Sequence, residues 1–307
     1  MKRLFSQKLF AGALIFAGAA FLLFGFAEFV RRVSARRNAG DFAEIESSPW
    51  FQAMTQGHKC EDVADWAGAR NAYERAAKVM AQQPMLQSRA YSALCALYSA
   101  LDLDDLAFQA AQKATQAARR DEEIPFFLPS CLLNEAEFHA STGDLPRAWE
   151  NLRESLQLIE AHPLHELQQI HALILRAKIH LCEGDFAQAS ADLESVWQPL
   201  QPASDSFFMA GYQNALAKWW AVQAQLRAAQ NDKTGAIEAW RQSVHRRRII
   251  AQVPHIEGVS KHVALATTLE RLAQSLRDAG DDLAQKSFAE SHSIRRAIGL
   301  PAANPFG

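Results

Sequence analysis

Between residues 49 and 298 apolar and small residues recur at spacings of three and four, as in Tyr91, Leu94, Cys95, Tyr98 and again in Ala107, Ala111, Ala114. That is the period at which one face of an α-helix meets a core. The periodic stretches are broken by short polar punctuation that keeps one form. Gly143-Asp144-Leu145-Pro146-Arg147-Ala148-Trp149 returns as Gly184-Asp185-Phe186-Ala187-Gln188-Ala189 and as Asn231-Asp232-Lys233-Thr234-Gly235-Ala236. A weaker copy is Gly280-Asp281-Asp282, and an earlier one is Ala64-Asp65-Trp66-Ala67-Gly68-Ala69. Each copy is a two-residue turn, then a bulky or long residue, then a small residue three places on. A fixed turn between paired helices, repeated every few dozen residues, predicts a helical solenoid.

The expected fold class is therefore all-α. A right-handed solenoid of helical hairpins, about six repeats by this pattern, should span 50–298, with Ser48-Pro49 as its hydroxyl cap and first-turn proline. Composition agrees, since Ala, Leu, Gln, Arg and Glu dominate and β-branched residues are sparse. A tail at 299–307, with Pro301 and Pro305, cannot continue a helix. Between these turns the spacing widens: Gly143 to Gly184 is 41 residues, Gly184 to Asn231 is 47, and Asn231 to Gly280 is 49. Longer loops are expected at Gln198-Pro199-Leu200-Gln201-Pro202 and at Val253-Pro254-His255.

Ahead of the array, a basic start with Lys2, Arg3 and Lys8 is followed by an uncharged run from Leu9 to Ala27. At ~1.5 Å per residue such a run nearly matches a ~30 Å hydrocarbon core. Residues 1–37 read as a basic segment with a single transmembrane helix touching the bilayer through 9–30, and 38–49 as a linker. A cleaved signal peptide is the competing reading, with Ala17-Gly18-Ala19 as its site, but cleavage there leaves a still apolar end. Arg31, Arg32, Arg36 and Arg37 flank the far side, so the positive-inside rule gives opposing votes. A short basic N-terminus before an apolar run favours export of the repeats. Arg outnumbers Lys, which points to a GC-rich bacterial genome. The expectation is a single-pass protein of a bacterial inner membrane with a periplasmic repeat domain.

The residues that mark the turns and helix faces resemble tetratricopeptide repeats. Leu132 and Ala136 precede Gly143, Asp144, Leu145, Ala148 and Leu152, and Leu173 and Ala177 precede Gly184, Asp185, Phe186, Ala189 and Leu193. Trp220 and Ala224 precede Asp232, Ala236 and Trp240, while Trp66, Ala69, Tyr73 and Ala76 give a first repeat. The spacing exceeds that family's usual 34. The resemblance implies a concave groove, lined by first helices, that binds a protein segment. Carried over by position, it would include Glu137, Lys178, Gln225, Gln274 and Arg277, with His171 and Lys218 nearby. The family's Lys/Asn/Arg carboxylate clamp is not reproduced, because its positions hold Leu133, Glu137, Ile174 and Lys178.

Chemistry is otherwise thin. No phosphate loop, nucleophile elbow or zinc-protease motif occurs, so no enzyme, cofactor or metal is expected. His162, His165 and His171 form the densest histidine group, while His139 and His180 hold equivalent positions and are read as inter-helix packing. The cysteines Cys60, Cys95, Cys131 and Cys182 read as small buried thiols. A net charge of −2 removes any global basic field for nucleic acid. The one basic run, Arg241 with Arg246, Arg247 and Arg248, sits near a helix C-terminus, where cations offset the dipole or meet an acidic partner. The chain reads as a membrane-anchored, non-enzymatic scaffold that holds a protein partner in an envelope complex. Its rival is a sensor whose array closes on a peptide or ligand.

Overall fold

The computed structural model describes residues 48–121, 127–161, 166–200, 210–253 and 260–300. The apolar run, the expected bilayer contact at 9–30 and most of the linker lie outside them. Among the described residues, no helix is long and apolar enough to cross a membrane. The described residues form twelve helices and no strand. These are α1 (Pro49–Asp62), α2 (Trp66–Val79), α3 (Pro84–Ala100), α4 (Asp104–Ala118), α5 (Leu128–Thr142) and α6 (Leu145–Glu160). They continue as α7 (Glu166–Glu183), α8 (Phe186–Leu200), α9 (Ala210–Ala229), α10 (Lys233–Ala251), α11 (Ser260–Asp278) and α12 (Leu283–Ala297).

Consecutive helices pair into six antiparallel hairpins, and the repeated punctuation closes each one. The turn residue takes a left-handed backbone every time: Ala64, Asp102, Gly143, Gly184, Asn231 and Gly280, with φ from 56° to 83°. The amide after it donates to a carbonyl five residues back, as in Asp144 to His139 and Asp185 to His180, both at 2.9 Å. This is the Schellman ending of a helix. The following aspartate then caps the next helix: Asp65 accepts from the Gly68 amide at 2.9 Å and Asp232 from the Gly235 amide at 2.8 Å. Ser48 caps α1 in the same way, ahead of Pro49. The turn at Asp102 lacks the Gly-Asp signature, and α4 starts without a side-chain cap.

Small residues at the contacts let helices approach closely. Ala69, Ala76, Ala107, Ala136, Ala148, Ala177, Ala189, Ala224 and Ala273 expose no surface, while Tyr73, Leu132, Leu152, Leu193 and Leu269 fill the space between them. Across the hairpin boundaries an aromatic ring recurs. His139 meets the Phe108 ring edge-on at 5.0 Å and His180 meets Trp149 at 4.9 Å. Each histidine packs on the second helix of the preceding hairpin.

First helices of successive hairpins touch one another (α5 with α7, α7 with α9), and second helices do not do so comparably. First helices therefore lie on the short-radius side of the curve. The curve also closes. Helix α11 reaches α3, and Val263 of α11 joins the core of the first two hairpins, as do Ile298 and Leu300. The Trp66 indole donates to the Gly299 carbonyl at 3.1 Å, and Arg295 pairs with Asp102 at 3.0 Å and with Glu270 at 2.9 Å. The array is one turn of six hairpins with its end seated on its beginning.

Three expectations change. The break at Gln198-Pro199-Leu200 falls inside α8, because Val196 and Leu200, fully buried, carry the helix through Pro199. Gly299 and Leu300 belong to the seam rather than to a loose tail, because the Trp66 donor and an apolar core hold them. Cys60, Cys95 and Cys131 are buried, with burial pushing the Cys95 thiol up to about 11, but Cys182 is exposed.

Candidate functional site

The inner face brings together four of the groove residues. Glu137 projects from α5, His171 and Lys178 from α7, and Lys218 from α9. The turns set this register: Glu137 and Lys178 each lie six residues before the left-handed glycine of their hairpin, Gly143 and Gly184. His171 and Lys218 each lie thirteen before theirs, Gly184 and Asn231. One Glu137 oxygen lies 3.0 Å from the Lys218 ammonium and the other lies 3.4 Å from Lys178. A single carboxylate thus ties three consecutive hairpins.

A fifth member comes from the basic run. Helices α9 and α10 are 20 and 19 residues long, against 15 and 16 for α5 and α6. Arg246, Arg247 and Arg248 lie near the end of α10, the end that faces the start of α9. Arg247 donates to the Asn214 side chain, feels the charge of Glu137, and its own charge acts on His171. Arg246 donates to Gln213 at 3.5 Å. The other two turn away: Arg241 pairs with Glu238 of its own helix, and Arg248 grips Glu290 of α12 through both carboxylate oxygens at 2.7 and 2.8 Å. The four arginines therefore do not present one patch.

The remaining groove residues stand apart. Gln225 and Gln274 are exposed, Gln274 hydrogen-bonding Asp278 at 2.7 Å. Arg277 stacks over the Phe288 ring at 4.5 Å within its own hairpin. Among the described residues, no hydrogen bond or ion pair joins these three to Glu137. His162 and His165 lie outside the described residues, and no group of His, Cys, Asp or Glu among the described residues is set to hold a metal.

Electrostatics single out the interior. The Glu137 side chain keeps 42% of its surface open to water on the inner side of the turn, so it faces a solvated interior. The nearby Lys218 charge, with Lys178 behind it, holds its carboxyl well below the usual range against the cost of burial. Burial pushes His171 down to about 4, helped by Lys218 and Arg247, so its imidazole is neutral near pH 7. Arg247 is brought down to about 10, chiefly by burial. The Nε atoms of Arg247 and Nε2 of His171 are sealed from solvent without a hydrogen-bond partner. Three cations thus face one carboxylate.

A second cavity, of about 550 Å³, opens over α3 between α2 and α4, lined by Lys78, Tyr91, Tyr98 and Lys113 among others. No local pattern along the chain marks it.

Architecture and site define an all-helical repeat array with a charged interior. No family model matches the chain, and no curated protein sequence does. Among solved structures, it is similar to NprR in complex with its cognate peptide NprX, with a TM-score of 0.55 at 13% identity over 89% of this chain and 72% of that one. It also matches BtubC (BKLC) from P. vanneervenii, with a TM-score of 0.45 at 17% identity over 80% of this chain and 93% of that one. The NprR likeness establishes the helical repeat fold.

Proposed function

We propose that this chain is a non-enzymatic scaffold that holds a segment of another protein inside its helical turn. The observation that carries the reading is the enclosed group of Glu137, Lys178, Lys218 and Arg247. The carboxylate and the two ammonium groups stay partly open to water while they tie three hairpins, which suits the capture of a polar chain and builds no core. The similar NprR structure is a complex with a cognate peptide, which supports the same use here. The apolar run from Leu9 to Ala27 supports anchorage in a bacterial inner membrane, with the repeats on the periplasmic side and the partner in an envelope complex. A sensor reading is favoured by one feature, the seam between the ends of the array, which a ligand could tighten or release.

Site-specific photocrosslinking in membranes tests the reading. A photoreactive residue at Asn134 or Ala96, both exposed on first helices, should trap a defined partner. The same residue at Glu150 on α6 should not. Equal trapping from all three positions would remove the interior from the account.

A further inference from the structure

The interior holds more positive charge than its own residues neutralise. Glu137 divides its two oxygens between Lys218 and Lys178. Arg247 is left with the amide oxygen of Asn214 and a sealed Nε that no acceptor meets. A half-buried guanidinium whose Nε is shut from water, and which has no carboxylate of its own, is poorly compensated, because lost hydration is repaid only by charge pairing and full hydrogen bonding. Neutral His171 adds no compensation, and its Nε2 is likewise sealed and unpartnered. The space keeps a net positive potential that a second anion would relieve.

The two ammonium groups can meet such an anion. Lys218 and Lys178 expose 36% and 24% of their side chains to the enclosed solvent, and Glu137 exposes 42%. Glutamate is long enough to leave this pair and point into the same water. We propose that Lys178, Lys218 and Arg247 form an anion site for a carboxylate of the bound ligand, and that Glu137 fills it as a built-in competitor. This rests on the interior being where the ligand binds. A free dicarboxylic acid and an acidic peptide present the same group, so the chemistry named is the carboxylate itself.

The geometry makes an unusual demand: removing an acid should strengthen binding of an acid. The full chain, purified in detergent, is titrated by calorimetry with glutarate and separately with hexaglutamate, against glutaramide and chloride at matched ionic strength. Glu137→Gln keeps the side-chain shape and should bind the carboxylates about ten-fold tighter than the unaltered protein. Lys218→Gln should lose that binding, and Lys178→Gln should weaken it. Thermal unfolding supplies the second readout, since glutarate should raise the Tm of Glu137→Gln more than that of the unaltered protein. Binding of hexaglutamate assigns the site to acidic peptides, whereas binding of glutarate alone assigns it to small acids. If Glu137→Gln merely lowers the Tm and gains no affinity, Glu137 is a structural tie and the proposal falls. Carboxylates that do no better than chloride would also overturn it. Photocrosslinking from Asn134 stays an independent readout, so loss of the anion site and loss of partner capture are separable.

Discussion

Histidine 171 offers a direct measure of how dry and how positive the interior is. Its ring is pushed from the ordinary 6.5 down to about 4, first by burial and then by Lys218 and Arg247, with Glu137 pulling the other way. Those three come from α9, α10 and α5, the helices that face it. A histidine with a lowered pKa stays neutral when folded but binds a proton readily when unfolded. Its contribution to stability is therefore complete above about pH 7 and is lost as pH falls from 6.5 toward 4. Between those values the full difference is roughly 3 kcal/mol, and at pH 5 about 2 kcal/mol has gone. Urea unfolding of the unaltered chain and of His171→Gln, at pH 7 and pH 5, isolates this term because all other groups titrate in both. The unaltered protein should lose about 2 kcal/mol more than the variant on acidification. Equal losses, or a larger loss in the variant, would mean that the ring is hydrated and the interior is not the enclosed space described above.

Other perturbations probe the array itself. Arg295→Ala removes the ties to Asp102 and Glu270 at the seam; with partly exposed partners it should cost about 1–2 kcal/mol and enlarge the radius of gyration in solution scattering. An unchanged radius would show that Trp66, Val263 and Leu300 close the turn without it. Gly57→Ala would put a methyl group 2.2 Å from the Tyr73 ring, which is fully buried and donates to Glu61 at 2.7 Å. The ring cannot yield cheaply, so a loss of about 1–3 kcal/mol in chemical denaturation is expected. Gly143→Ala meets open space but must hold φ near 83°, and should cost about 1 kcal/mol.

Local features were the legible ones. Gly143-Asp144, Gly184-Asp185 and Asn231-Asp232 announce a left-handed turn and a cap through their own chemistry, and the structure uses each of them that way. The turn at Asp102 escaped notice because the backbone there is left-handed without glycine or a capping side chain. Equivalence between repeats carried Glu137, His171, Lys178 and Lys218 onto one inner face, since a fixed turn fixes the register of the helix before it. The same rule placed Gln225, Gln274 and Arg277, but proximity across hairpins depends on the angle between them, which no local pattern encodes. Closure of the turn is illegible for that reason: it joins Trp66 to Gly299 and Asp102 to Arg295, nearly the whole array apart. The basic run gives no sign that Arg247 turns toward Asn214 and Glu137 while Arg248 turns to Glu290, because that split depends on how the hairpins pack.

The central claim is that the charged interior holds the partner. Quantitative capture of the crosslinked partner from solubilised membranes tests it, comparing the full chain with Lys178→Glu/Lys218→Glu and with Arg153→Glu/Lys286→Glu on exposed positions of α6 and α12. All three proteins must first show the same helical content and cooperative unfolding. The account predicts at least about a ten-fold loss of capture for the interior pair, the equivalent of one strong ion pair, and none for the outer pair. Equal losses, or a loss confined to the outer pair, would contradict it.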